Sequence, residues 1–214
     1  MSGQTGTAAN VSLAPLIAAI RRLLADGAAA GTVASSTTVE FVSALATIPE
    51  SAPRVDSYLL PVCRYWGEAL RAAAPAFLAE ALIPIAPHLR WSQNPNYRRQ
   101  PPSPRFLDDY GYAVVAGPVG GAPGLVAAPA LALGVMLLGP RTVYPAHAHP
   151  AVEIYLPLGP ARWQCDGGPW RHRDGGALIH HASGVVHATA TDETPLLALY
   201  LWRGDLATHA RLTG

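Results

Sequence analysis

The sequence predicts a mainly β chain with a helical N-terminal part, and three observations predict it. Up to about residue 90, apolar residues recur at helical spacing. From Phe106 onward, short apolar runs alternate with Gly/Pro turns about every ten residues, the rhythm of an all-β sandwich or barrel. Between the two lies a polar, proline-rich segment at 90–105. The expected division is therefore 1–105 for the helical region with its loop and 106–214 for the β part, together one compact unit.

The elements follow in order. Leu13, Leu16, Ile17, Ile20, Leu23 and Leu24 mark a first helix, with Ser12 placed to cap it and Gly27 just past its last turn. Thr37 to Thr47 gives a weaker second helix. Tyr58 to Ala73 and Pro75 to Leu82 give two more, the last opening on a proline. The prolines between Arg90 and Arg105 lead us to expect neither helix nor central strand there. Trp91 and Tyr97 are costly to leave in water, so the segment reads as an ordered loop laid over something, with a plain linker as the alternative. The expected strands are 112–116, 131–138, 154–158, 161–165, 177–180, 185–189 and 196–202.

Composition excludes several partners. Half the residues are hydrophobic, 14% are charged and the formal net charge is +1, with no basic stripe. Nucleic acid and anionic membrane are therefore poor partners. Met1 to Asn10 lacks the features of a signal peptide. The apolar stretch from Val126 to Gly139 is too short to span a bilayer and contains Pro129. Two distant cysteines, Cys63 and Cys165, fit reduced thiols. Cytoplasmic residence is the resulting expectation.

Seven of the eight histidines fall at or after residue 147. In Tyr144-Pro-Ala-His147-Ala-His149-Pro-Ala-Val-Glu153-Ile-Tyr155, residues two apart on an extended strand share a face. His147 and His149 therefore project together, as do Glu153 and Tyr155 after the bend at Pro150. Two imidazoles and a carboxylate converging on one point suit a divalent metal with open positions. His187, after the Ser-Gly turn at 183–184, is the expected fourth ligand. Of the adjacent pair His180 and His181, at most one can face a shared site. Both are assigned, with His172 and His209, to surface or satisfied core positions.

His147-x-His149-x3-Glu153, then Gly159, then Gly176-x5-Ala-x-Gly184-x2-His187 closely resembles the two motifs of the cupin superfamily. Ala182 stands where that pattern usually has proline, and the spacing from Gly139 to His147 is longer than usual. The resemblance implies a double-stranded β-helix (jelly-roll) barrel. It also implies one divalent ion, of the Fe(II), Zn, Mn, Ni or Co class, on His147, His149, Glu153 and His187. The stretch from Tyr144 to Leu158, Trp163, and the upstream Trp91-x-Gln-Asn-Pro-Asn-Tyr97 resemble, more narrowly, the cupin-type dimethylsulfoniopropionate (DMSP) lyases.

That resemblance implies a β-elimination of DMSP to dimethyl sulfide and acrylate. Charge building on the substrate carboxylate needs a Lewis acid, and the Cα–H needs a base. Tyr155 is the expected base, by resemblance and because it shares the face of Glu153. A free phenol, with a pKa of about 10, needs a neighbouring cation for that role. Tyr144 is the second candidate. Trp91, Tyr97, Trp163 and Trp202 are the aromatic faces expected to receive the sulfonium. The expected partner is thus a small carboxylate–sulfonium molecule, with a homodimer as a further expectation. A dioxygenase, an isomerase or a non-catalytic binder on the same metal are the competing readings. A tyrosine beside the ligands favours elimination.

Overall fold

A computed structural model describes residues 10–213. The signal-peptide reading of Met1 to Asn10 lies outside the described residues, Asn10 apart.

The helical region begins with β1 (Asn10–Ser12), which pairs with β2 (Ser51–Pro53) around α1 (Ala14–Ala29) and α2 (Ser35–Leu45). Ser12 does serve the start of α1, its Oγ accepting from the Ala14 N–H at 3.3 Å. The helix runs two residues past Gly27 instead of stopping before it. A Cβ on Gly27 would lie 2.7 Å from Leu178 Cδ1, so this glycine permits close packing and does not end the helix. Tyr58 to Ala73 is less helical than its spacing suggested. Pro61 opens a 3-10 turn, Pro61–Tyr65, and only α3 (Trp66–Arg71) is α-helical. α4 (Ala76–Leu82) follows Pro75 as expected.

The proline-rich segment departs from the loop expectation. It contains a short strand, β3 (Trp91–Ser92), and one helical turn, α5 (Pro95–Arg99). Asn94 makes that turn possible: its side chain accepts from the Asn96 N–H at 2.9 Å, a cap that compensates for poor helix propensity. The Nδ2 groups of Asn94 and Asn96 both donate to the Ala210 carbonyl at 2.9 Å, fastening this segment to the chain's C-terminal part.

The β part comprises β4 (Tyr110–Gly117), β5 (Val126–Ala127), β6 (Ala132–Leu138), β7 (Val143–Ala148), β8 (Val152–Pro157), β9 (Ala161–Cys165) and β10 (Arg171–Arg173). β11 (Ile179–His181), β12 (His187–Ala190), β13 (Leu196–Arg203) and β14 (Arg211–Leu212) complete it. One sheet has the order β11-β8-β13-β6-β4-β3, with β5 alongside β4; the other has the order β10-β9-β12-β7-β14. Two mainly antiparallel sheets with such crossovers make the jelly-roll barrel that the cupin motifs implied.

Alternation along the larger sheet sorts its side chains into two populations. Leu133, Val135, Leu137, Ile154, Leu156, Leu197, Leu199 and Leu201 join the helical residues Leu16, Ile20, Phe41 and Leu82 in one core cluster. The intervening residues, among them Tyr110, Met136, Tyr155 and Tyr200, point into the barrel and form a second cluster with Tyr144 and Trp163. The helices thus cover the outer face of one sheet, and the site lies on its inner face. Gly134 belongs to the inner set. Any Cβ there would collide with the Tyr200 ring and the Ala113 carbonyl, so glycine is what lets Tyr200 lie across the barrel.

Candidate metal centre

His147 and His149 stand on and just past β7, Glu153 on β8 and His187 on β12. The register explains their convergence. His187 lies directly opposite His147 across the antiparallel β12–β7 pair. Gly184, with φ of 75°, turns the chain into β12 and donates its N–H to the His149 carbonyl at 2.9 Å. All four side chains are buried.

Each imidazole is held by the same device. Nδ1 of His147, His149 and His187 lies 2.8, 3.1 and 2.9 Å from the carbonyls of Pro145, Ala151 and Val185. A carbonyl only accepts, so each Nδ1 carries a hydrogen. In a neutral ring this leaves Nε2 as a lone pair, the form that binds metal. One ligand nitrogen from each ring falls within 4.8 Å of the others, and Nε2 of His147 has no hydrogen-bond partner. The three buried histidines could hold a metal ion.

Each ring is also backed by a stacked neighbour. Tyr144 lies on His147 at 4.0 Å between centroids and 10° between planes. Trp202 lies on His149 at 4.0 Å and 28°. His181 lies on His187 at 4.1 Å and 11°. A hydrogen bond at one edge and a ring on one face fix both the tilt and the position of each imidazole.

Glu153 faces this array. Its Oε2 is 3.1 Å from Nε2 of both His149 and His187, and its Oε1 accepts from the Trp202 indole N–H at 2.5 Å. Burial alone would raise this carboxyl. Donation from Nε2–H of the two rings, were both protonated, would outweigh burial and hold it well below the usual carboxylate range. A buried carboxylate oxygen facing two such nitrogens demands positive charge between them, and a divalent cation supplies it with all three rings in one tautomer. The residues present therefore fit a metal.

Tyr144 and Tyr155 both line the central cavity next to Glu153, with Tyr112, Met136, Tyr200 and Trp202. The cavity measures about 100 Å³, room for a ligand far smaller than a drug. Burial, then the Glu153 charge, pushes the Tyr155 phenol well above its ordinary value. Burial does the same to Tyr144, whose hydroxyl donates to Tyr97 at 3.1 Å.

The aromatic residues expected at the substrate are spread more widely than the sequence suggested. Trp202 lines the cavity. Tyr97 is fully buried behind Tyr144 and is not part of the cavity wall. Trp163 packs on Tyr155 at 5.0 Å but lines a different cavity. Trp91 pairs in register with Ala113, on the helix-facing side of the sheet, and stacks edge-on against Trp66 at 5.8 Å. Its placement corrects the expectation that it lines the substrate pocket: Ser92, not Trp91, has the parity that faces Tyr112.

Two features were missed. His181 was assigned to the surface or a satisfied core, yet it is buried with both ring nitrogens unpartnered. Burial, then the neighbouring His187, pulls its pKa down to about 3. Its register opposite Glu153 puts it inside the barrel, which the parity of the His180–His181 pair permitted but could not choose. The cavity residues Tyr112 and Tyr200 were also overlooked. Tyr200 could have been found, because it shares the face of Trp202 two residues on.

Comparison with known proteins decides the family. The dimethylsulfoniopropionate lyase family profile matches residues 34–198. The chain belongs to this family. It is 44% identical over 91 residues to dimethylsulfoniopropionate lyase DddQ of Ruegeria pomeroyi, covering 42% of this chain and 45% of that relative. It is 30% identical over 174 residues to the putative dimethylsulfoniopropionate lyase DddL of Cereibacter sphaeroides, covering 75% of this chain and 68% of that protein. The matched region thus spans less than half of the DddQ sequence and about two thirds of DddL. A crystal structure of the DMSP lyase DddQ from Ruegeria pomeroyi superposes on 93% of this family member and 96% of its own chain, with a TM-score of 0.66 and 29% identity.

Proposed function

We propose that this protein is a metal-dependent carbon–sulfur lyase that cleaves DMSP to dimethyl sulfide and acrylate by β-elimination. One observation carries the reading: in a chain of the DMSP lyase family, a tyrosine two residues beyond the buried glutamate faces the same small cavity as that glutamate. His147, His149, Glu153 and His187 would hold a divalent ion of the Fe(II), Zn, Mn, Ni or Co class. Bound there, such an ion would supply Lewis-acid stabilisation of the substrate carboxylate and offset the Glu153 charge that raises the Tyr155 phenol.

The chain's own residues have distinct tasks. Tyr155, as phenolate, takes the proton from the carbon next to the substrate carboxylate. The electron pair forms the carbon–carbon double bond as the carbon–sulfur bond breaks, and dimethyl sulfide departs neutral, needing no acid. Tyr144 holds the His147 ring and presents its phenol to the cavity as the alternative base. Tyr112, Tyr200 and Trp202 offer aromatic faces to the sulfonium, each worth about 0.5–2 kcal/mol according to desolvation. The apolar wall, Met136 included, keeps water from competing with the substrate.

Cys63 and Cys165 are both free thiols, which supports cytoplasmic residence as part of this reading. Among the described residues no helix is long and apolar enough to cross a membrane.

The test is direct. Metal-loaded protein incubated with DMSP should release dimethyl sulfide into the headspace, measured by gas chromatography, together with an equal amount of acrylate. Full metal occupancy with no product would remove the lyase reading and leave the metal site standing.

A further inference from the structure

A second cavity, of about 500 Å³, opens at the seam where the edge strands β10 and β11 of the two sheets face each other. Its lining joins Trp163 and Gln164 of β9, Arg171 and Arg173 of β10, Leu178, and His181 of β11. It is distinct from the central cavity: Tyr155 and Trp163, 5.0 Å apart, stand as the wall between the two.

Three features of this cavity lack partners. Trp163 Nε1 is a buried donor with no acceptor. An indole N–H can only donate, so it calls for an acceptor. Both nitrogens of buried His181 are likewise unpartnered. Arg171 and Arg173 form no ion pair among the described residues, since the nearby Asp174 pairs with His172 at 3.7 Å. The unpaired guanidinium groups at the rim select an anion. The indole face and Leu178 between them suit a short hydrocarbon body better than a bare inorganic ion.

We propose that the seam cavity is a second binding site, for a small organic carboxylate, with the carboxylate group held by the arginines at β10 beside the Trp163 ring. The site does not rest on the lyase reading. It needs neither a metal nor turnover.

Propionate is the probe, titrated into protein stripped of metal by chelation, so that the metal centre offers no competing carboxylate site. Heteronuclear NMR follows the five tryptophan indole resonances, with Trp163→Phe identifying the Trp163 signal. Propionate should shift that signal in a saturable way. The Arg171→Gln/Arg173→Gln double variant, altered only at exposed positions, should bind at least about fivefold more weakly while keeping the metal content of the parent after reloading. An unmoved Trp163 resonance, or equal affinity in the double variant, overturns the proposal. Inorganic phosphate binding as tightly as propionate, with the same shift, overturns the assignment to a carboxylate.

Discussion

The two faces of the larger sheet are made by the same strands and do opposite work. Along β13, Leu197, Leu199 and Leu201 point to the helices, whereas Ala198, Tyr200 and Trp202 point into the barrel. The outer set is aliphatic and interchangeable in kind, and its contribution is burial. The inner set mixes aromatic rings and hydroxyls around a buried carboxylate, each with a specific neighbour. Stability and chemistry are thus separated by a single residue step. Changes on one face should leave the property of the other almost intact.

That separation can be broken or sharpened by substitution. The largest effect is expected from His149→Ala, which removes an inner ligand: elemental analysis should find metal lost, with the fold retained by circular dichroism. Tyr155→Phe comes next. It should keep metal while the rate of dimethyl sulfide release falls about 10²–10⁴-fold, the usual worth of a positioned proton acceptor. Retained activity would shift the base to Tyr144.

Leu199→Ala tests the outer face, where denaturant unfolding should show a loss of about 2–5 kcal/mol with unchanged metal stoichiometry. Metal loss in that variant would deny that the faces are independent. Trp202→Phe keeps a ring on His149 but deletes the donor to Glu153 Oε1, and competition with a chelator should show metal affinity about 10–100-fold weaker. The smallest effect belongs to His209→Ala. His209 lines the cavity but stands outside the histidine cluster, so metal content should match the parent.

The same-face pairs of the candidate site were legible because they depend on spacing alone, whereas His187 needs a partner strand. His147 and His149 share a face by strand alternation, and Glu153 and Tyr155 do so again after Pro150, without reference to any other strand. The same rule misleads one step away. Tyr144 is three residues before His147, so alternation puts the two on opposite faces. The pairing of β12 with β7 shifts register between His187 and Thr189, and this bulge returns Tyr144 to the inside. Trp91 went astray for the complementary reason: its aromatic character suggested a substrate contact, but β3 pairs so that Trp91 meets Ala113. The helix over Tyr58 to Ala73 was overextended because apolar spacing outweighed the proline at 61.

The sequence by itself determined the mainly β character with a helical N-terminal part, the alternation that divides outer from inner side chains, and the same-face pairs His147 with His149 and Glu153 with Tyr155. These are properties of neighbouring residues on one chain segment, and local geometry transmits them. Only the tertiary structure decided which strand lies beside which. That choice placed His181 on His187 and Trp202 on Glu153, turned Trp91 outward, and opened the seam between β10 and β11. Strand pairing joins residues far apart in the chain, and its register is set by the packing of whole faces, which no short stretch of sequence contains.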